Sequence, residues 1–329
     1  MTGDQQVSYQ QNGRFVRPDS AFRNFISRDP DSRFPAEAGR YALYLSPTCP
    51  WAHRTLIVRK LKGLESIIDV YQLHPSMGPK GWYFSGDHGS LPEDPLHGFK
   101  TLRELYHLVD PNFNGRYTVP VLWDKKGDTM VNNESSEIIR MFYSEFDHLL
   151  PAELREENRP GGGLYPENLR KEIDEINDWV YDTVNNGVYK TGFATTQEAY
   201  EENLYPLFKS LDRLEETLGH GKKYLLGDYI TEADVRLYPT IARFDVGYHP
   251  VFLCNLKSIR HDYPRLNLWL RGLYWNQGDY TRGAFYETTQ PHIQYYGPGY
   301  ARARYKLVQG EAGALIIPAG PAIPIEPLP

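Results

Sequence analysis

The sequence predicts two domains of different class, an α/β domain followed by an all-α domain. Three observations carry this. The first part of the chain reads strand, helix, strand and then strand, strand, helix; Arg159-Pro160-Gly161-Gly162-Gly163 breaks that order; beyond the break, apolar residues recur every three or four positions. With 329 residues, 40% of them hydrophobic, the chain has enough apolar surface for two cores. The expected division is 1–158, 164–296, and a Pro/Gly-rich tail over 297–329.

Residues 40–46, with Tyr41, Leu43, Tyr44 and Leu45, read as a strand. Trp51, Leu56, Ile57, Val58 and Leu61 then follow helical spacing, with Pro50 suited to the first helical position and Gly63 to the stop. A second strand over 67–73 completes a right-handed parallel crossover. Residues 75–115 interrupt the domain with a Gly- and Pro-rich stretch and a short amphipathic helix through Phe99, Leu102, Leu105 and Leu108. An insertion of that length inside a compact domain is usually functional or interfacial. Strands follow at 118–123 and 129–131, joined by a turn, and Asn133-Glu134-Ser135-Ser136-Glu137 opens a helix carrying Ile138, Ile139, Met141 and Phe142. In the second domain, helices are expected over 165–186, 196–218, 231–244 and 264–274, with Thr231 and Asp234 forming a capping box. From Gly297 onward the Pro, Gly and Ala content argues for an extended tail lying on the body.

Cys49 is the first candidate for chemistry. It stands in Ser46-Pro47-Thr48-Cys49-Pro50-Trp51-Ala52-His53-Arg54, where a strand ends and a helix begins. Unpaired N–H groups and the positive end of the helix dipole favour a thiolate there. Ala52 occupies the place of a resolving cysteine, so Cys49 is expected to work with a soluble thiol. The bland alternative is a small buried hydrophobe, which is the reading preferred for Cys254 in Phe252-Leu253-Cys254-Asn255-Leu256. His53 and Arg54 either lend positive charge to the sulfur or face away.

Thr118-Val119-Pro120 suggests the cis-proline of a thioredoxin-like fold, which would free the backbone of Val119 to pair with an extended peptide ligand. An ordinary trans proline at a strand start is the alternative. Glu134 and Ser135 either grip the zwitterionic end of a γ-glutamyl ligand or simply cap their helix. Tyrosine is abundant, with 25 copies, several in the all-α half. Most serve packing, yet a phenolic substrate would use such rings and hydroxyls. No His or Cys spacing suggests a metal and no Gly loop suggests a bound phosphate.

The segment from Tyr44 through Cys49-Pro50-Trp51-Ala52-His53-Arg54-Thr55-Leu56-Ile57 resembles that of xi-class glutathione transferases, the S-glutathionyl-hydroquinone reductases. Residues 118–123, 133–141 and 234–248, with Arg243-Phe244-Asp245, resemble the same family. The resemblance covers about residues 13–293 and implies a thioredoxin-like domain followed by a helical glutathione transferase domain. It implies reduction of S-glutathionyl-hydroquinones through a Cys49-glutathione mixed disulfide. By the same resemblance Trp82, Arg116, Val119, Pro120, Glu134 and Ser135 would contact glutathione. Tyr189, Tyr248 and Tyr296, or Tyr295 in place of the last, would bind the ring, and two chains would form a homodimer. After Tyr296 the family pattern is lost.

A net charge of −6 without a basic cluster argues against nucleic acid. Two cysteines, a polar first thirty residues and no long apolar run point to a cytosolic protein without a membrane partner. Two other readings compete. One is an omega-like thioltransferase or dehydroascorbate reductase; the other is a non-catalytic binder of aromatic ligands, against which an intact Cys49 argues.

Overall fold

The computed structural model describes residues 10–219, 221–278, 280–309 and 315–329. The first nine residues of the expected first domain and residues 310–314 of the expected tail lie outside the described residues. A hairpin of β1 (Gln10–Gln11) and β2 (Arg14–Phe15) comes first. The main sheet is built from β3 (Tyr41–Leu45), β4 (Ile68–Gln72), β5 (Val121–Asp124) and β6 (Thr129–Asn132), in the order β4-β3-β5-β6. β4 runs parallel to β3, and β5 and β6 are antiparallel to their neighbours. Every residue of β3 is buried, as a central strand covered on both faces requires.

The crossover between β3 and β4 is helix α1 (Pro50–Leu61), with proline at its first position and Gly63 at φ +69 just past its end. Inside the insertion, α2 (Leu102–Val109) opens on a Thr101/Glu104 capping box. Asp94 anchors the insertion: Tyr44 Oη donates to Oδ1 at 2.6 Å, and His97 Nδ1 lies 2.6 Å from Oδ2. The strand expected at 118 begins only at Val121, because Thr118 is engaged by the hydroxyl of Tyr106 and the Val119–Pro120 bond is cis. Helix α3 (Ser135–Ser144) closes the layer.

The second part is helical: α4 (Arg170–Val180), α5 (Gly187–Gly192), α6 (Gln197–Thr217), α7 (Glu232–Arg243), the short α8 (His249–Val251) and α9 (Ile259–Asp262), α10 (Pro264–Tyr274) and α11 (Ala284–Thr289). The Thr231/Asp234 capping box is formed, and Asp234 also accepts from Trp269 Nε1 at 2.9 Å. Two of the expected helices end in π turns, Tyr181–Asn185 after α4 and Phe244–Tyr248 after α7. Such single wide turns re-aim the side chains that follow, often at functional sites.

The expectation of an extended tail from Gly297 is corrected at its start. Residues Tyr296–Gln309 form helix α12. Its Pro298 falls in the first turn, where no intrahelical N–H is needed. Its glycine serves close approach: a Cβ on Gly297 would lie 3.1 Å from the Val246 carbonyl. The last residues do lie on the body, with Ile325 buried and the Glu326 carbonyl accepting from Trp275 Nε1 at 2.8 Å.

The N-terminal segment ties the two parts together. Arg14 pairs with Glu202 of α6, Arg17 Nε donates to Asn186 Oδ1 at 2.6 Å, and Ser20 Oγ donates to Glu134 at 2.9 Å. This strap passes over the start of α1 on its way to β6, where Asn24 N–H meets the Val131 carbonyl.

Candidate active site

Cys49 is the residue just before α1, in extended conformation at φ −73 and ψ 121. It is half-buried, and its Sγ lies 3.6 Å from the carbonyl of Val119 across the cis bond. Burial pushes the thiol upward, against the N–H groups of Ala52 and Trp51 and the positive charges of Arg243 and Arg17. The net direction is up. The helix start therefore supplies the stabilisation expected of it, but burial outweighs it, which corrects the simple expectation of a ready thiolate.

His53 and Arg54 both face away from the sulfur. His53 is fully buried with Nδ1 2.9 Å from Arg243 Nη1 and Nε2 2.9 Å from Thr288 Oγ1, and burial holds it well below its ordinary range, so it is neutral. Arg54 donates to Asn185 Oδ1 at 2.8 Å and to the Arg236 carbonyl at 3.0 Å, and burial lowers it to about 9. The cation behind Cys49 is instead Arg243, at the end of α7. It is fully buried and donates to the carbonyls of Pro47 (2.9 Å), Thr48 (3.3 Å) and Pro239 (2.8 Å), with its guanidinium 3.9 Å from the ring of Tyr296. A charge held by carbonyls and a ring, with no carboxylate on it among the described residues, keeps its positive field for the loop it supports.

The expected glutathione residues fall into place as follows. Val119 and Pro120 are buried beside Cys49. Glu134 caps α3, accepting from Ser136 N–H at 3.1 Å; burial would raise its carboxyl, but Ser136, Ser20 and Arg54 together hold it below its usual range. Ser135 is buried next to it, its Oγ 3.5 Å from Arg54 Nη1. Arg116 is half-buried in the turn before the cis bond; burial lowers it to about 10, and the field of Tyr189 opposes the shift. Trp82 lies in the insertion, half-buried, with its carbonyl accepting from Leu102 N–H at the start of α2.

The tyrosines are arranged differently from expectation. Tyr189 (α5) and Tyr248 (end of the second π turn) are joined not by Tyr296 but by Tyr300, four residues further along α12. Tyr248 and Tyr300 hydroxyls lie 2.7 Å apart, and the ring centroids of Tyr189, Tyr248 and Tyr300 are 4.7 to 6.4 Å from one another. Tyr296 is buried under Arg243, and Tyr295 turns outward to His88, at 3.3 Å. One helical turn separates the two candidates, and only packing decides which face of α12 looks at the cleft. Tyr248 is itself fully buried, so Tyr189 is the half-exposed member, and its hydroxyl feels the field of Cys49.

Arg17 was invisible in the sequence. Its guanidinium sits 4.8 Å from the ring of Trp51, 4.9 Å from Tyr189 and 5.3 Å from Phe15, and it pulls the thiol of Cys49 downward. A lone arginine in a polar N-terminal run carries no spacing signal. A surface depression elsewhere is lined by Arg23, Glu137, Arg140, Asp174 and Arg236. Its charges pair with one another, Arg23 with Glu137 and Arg140 with Asp174.

Comparison with known proteins fits this geometry. A family profile described as "Glutathione S-transferase, N-terminal domain" matches residues 48–145, and one described as "Glutathione S-transferase, C-terminal domain" matches 197–272. The chain is 54% identical to "Glutathione S-transferase omega-like 2" of Schizosaccharomyces pombe, over 86% of this chain and 88% of that protein. It is 49% identical to "Glutathionyl-hydroquinone reductase YqjG" of Escherichia coli, over 80% of this chain and 79% of that protein. The glutathione-bound structure of YqjG superimposes with a TM-score of 0.80, covering 93% of this chain and 95% of that chain at 45% identity. The crystal structure of the glutathione-S-transferase Xi from Phanerochaete chrysosporium superimposes with a TM-score of 0.86, covering 96% and 100% of the two chains at 49% identity.

Proposed function

This chain belongs to the glutathione S-transferase family, in its xi class, and on that premise we propose that it reduces S-glutathionyl-hydroquinones to hydroquinones at the expense of glutathione. The observation that carries the reading is Cys49 alone at the start of α1, 3.6 Å from the Val119 carbonyl and within the field of Tyr189 and Arg17. The Cys49 thiolate attacks the sulfur of the glutathione thioether, forming a Cys49-glutathione disulfide. The bond from sulfur to the ring carbon breaks, and that carbon keeps the electron pair and takes up a proton, giving the hydroquinone. A second glutathione, as thiolate, attacks the glutathione sulfur of the mixed disulfide, so that glutathione disulfide leaves and Cys49 is regenerated. One thioether and one glutathione thus yield one hydroquinone and one disulfide.

In this reading Glu134 and Ser135 take the γ-glutamyl end, and the backbone of Val119 beside Pro120 pairs with the cysteinyl unit. Trp82 and Arg116 complete the glutathione contacts. Tyr189 meets the ring, and Arg17, already stacked on Tyr189 and Trp51, steadies both the thiolate and the phenolate oxygens of the substrate. The enzyme works as a cytosolic homodimer, with no metal in the reaction. Among the described residues no helix is long and apolar enough to cross a membrane.

The test incubates the protein with a glutathionyl-hydroquinone and glutathione and follows free hydroquinone. Cys49→Ser is expected to abolish release; unchanged turnover would sink the mechanism. A thioltransferase reading draws on the omega-like name of the fission yeast relative. It requires that protein mixed disulfides or dehydroascorbate be turned over faster than the glutathionyl-hydroquinone by the same preparation.

A further inference from the structure

The long insertion brings the neighbours Asp87 and His88 back to His74, which sequence spacing keeps apart from them. His74, just after β4, meets Asp87 and His88 from the far side of the loop, and the three offer ligand atoms that all lie within 4.8 Å of one another. His74 Nε2 is 3.8 Å from Asp87 Oδ1, and His88 Nε2 is 3.9 Å from Asp87 Oδ2. Both separations exceed a hydrogen bond. Two imidazoles therefore face one carboxylate across a gap that direct bonding leaves open.

The surroundings are those of ligating histidines. Nδ1 of His74 lies 2.9 Å from the Ser76 carbonyl and 3.0 Å from the Ser76 N–H, so the backbone of Ser76 holds that edge of the ring and turns Nε2 toward Asp87. The ring is also stacked on Tyr83, with centroids 4.7 Å apart. Nδ1 of His88 lies 3.3 Å from Tyr295 Oη, which orients Nε2 of that ring in the same way. His88 adopts φ +49, a left-handed backbone conformation uncommon for a side chain of this size. Ligand atoms of a tetrahedral zinc ion stand about 3.3 Å apart when its bonds are about 2.0–2.1 Å. Closing the present gaps takes roughly half an ångström for the two imidazole–carboxylate pairs and up to about 1.5 Å between the two rings, within reach of the exposed Asp87 and His88 side chains.

We propose that His74, Asp87 and His88 form a surface site for a divalent transition cation, zinc by preference, outside the reaction at Cys49. Two imidazole nitrogens and one carboxylate suit such an ion better than calcium or magnesium, which take oxygen ligands. The site bridges the insertion that carries Trp82 to the element that leads into α12. Tyr295 sits on His88, and Arg302 Nη1 reaches Ser76 Oγ at 3.1 Å. A bound ion would staple the far side of the loop to the end of β4 and hold His88 where it meets Tyr295, and so favour the folded arrangement over states in which they separate. This rests on the insertion alone and does not depend on which thioether the enzyme cleaves.

The test titrates zinc into the chelator-treated full chain and follows binding by calorimetry, with cobalt absorption as a second readout. The expected result is one zinc ion per chain at micromolar concentration, a higher melting temperature with zinc, and a cobalt spectrum without a thiolate charge-transfer band. Cys49→Ser retains binding, whereas His88→Ala and Asp87→Asn, both in exposed positions, weaken it at least about tenfold. The proposal is overturned by absence of saturable binding, by equal binding in both loop variants, or by loss of binding in Cys49→Ser. The cobalt spectrum of the unmutated chain decides the matter even where a variant folds poorly.

Discussion

The two cysteines of this chain, Cys49 half-buried and Cys254 fully buried, differ most in what faces the sulfur. Around Cys49 stand two helix-start N–H groups, the buried guanidinium of Arg243 and the stacked guanidinium of Arg17. Around Cys254 stand the carbonyls of Val188 and Phe252, each 3.9 Å from Sγ, and an apolar wall that holds the thiol far above its ordinary range. Burial raises both thiols. At Cys254 the Thr191 hydroxyl and the charge of Arg304 oppose it; at Cys49 two helix-start N–H groups and two guanidiniums do, beside a half-buried sulfur, so reactivity here follows both the local field and the exposure. Cys254 instead follows Leu253 at φ +59, and its N–H caps the Tyr248 carbonyl at 3.1 Å, which makes it part of the turn that aims Tyr248.

The largest expected effect breaks or keeps that contrast directly. Iodoacetamide should alkylate Cys49 at least about a hundredfold faster than Cys254 in the folded chain, with the two rates converging in denaturant. Peptide mass spectrometry reads both sites at once, and comparable labelling in the native state would end the comparison.

Next in size is Arg243→Met, which removes the donor to three buried carbonyls and the charge behind Cys49. We expect a loss of about 3–5 kcal/mol in stability, read from urea denaturation, together with slower alkylation of Cys49 at neutral pH. A variant as stable as the parent would mean that the carbonyls find water.

Gly247→Ala probes the tyrosine cluster beside Cys49. A Cβ there would come within 2.7 Å of the Tyr300 ring, so the ring must move, at a cost of about 1–3 kcal/mol. The expected signature is a higher KM for the hydroquinone conjugate with the alkylation rate of Cys49 unchanged.

The smallest effect is that of Arg17→Met. The thiol of Cys49 is already raised by burial, so its alkylation rate should climb with pH to a midpoint above the ordinary value of about 8.5. Arg17 favours the charged form; without it the midpoint moves further up, and labelling at neutral pH slows. Melting should change little, because Arg17 lies in a half-buried strap. A downward shift would assign Arg17 another role.

Much of the first domain was legible because each element carries a local signal. The Pro50 start of α1, the apolar run of β3 and, in the second domain, the Thr231 cap announce themselves in a few neighbouring residues. Helix α12 did not, since Gly297, Pro298 and Gly299 read as breakers. Their small size and first-turn position suit a helix start pressed against the second π turn, as the Gly297 approach to Val246 shows. The hairpin at Gln10–Gln11 and Arg14–Phe15 was missed for a similar reason: two-residue strands have no periodicity, although Asn12-Gly13, at φ +50 and +79, is the turn that makes them.

The sequence by itself determined the fold class, the strand-to-helix placement of Cys49, the absence of a neighbouring second thiol at Ala52, and the loop and helix start that hold Val119, Glu134 and Ser135. These are properties of adjacent residues, and backbone dihedrals and caps act over one or two turns. Tertiary structure alone decided that Arg243 and Arg17, not His53 or Arg54, supply the positive field, and that Tyr300, not Tyr296, joins Tyr189 and Tyr248. Field and facing depend on which surfaces pack together across almost two hundred residues of chain, and no local pattern encodes the outcome of that packing.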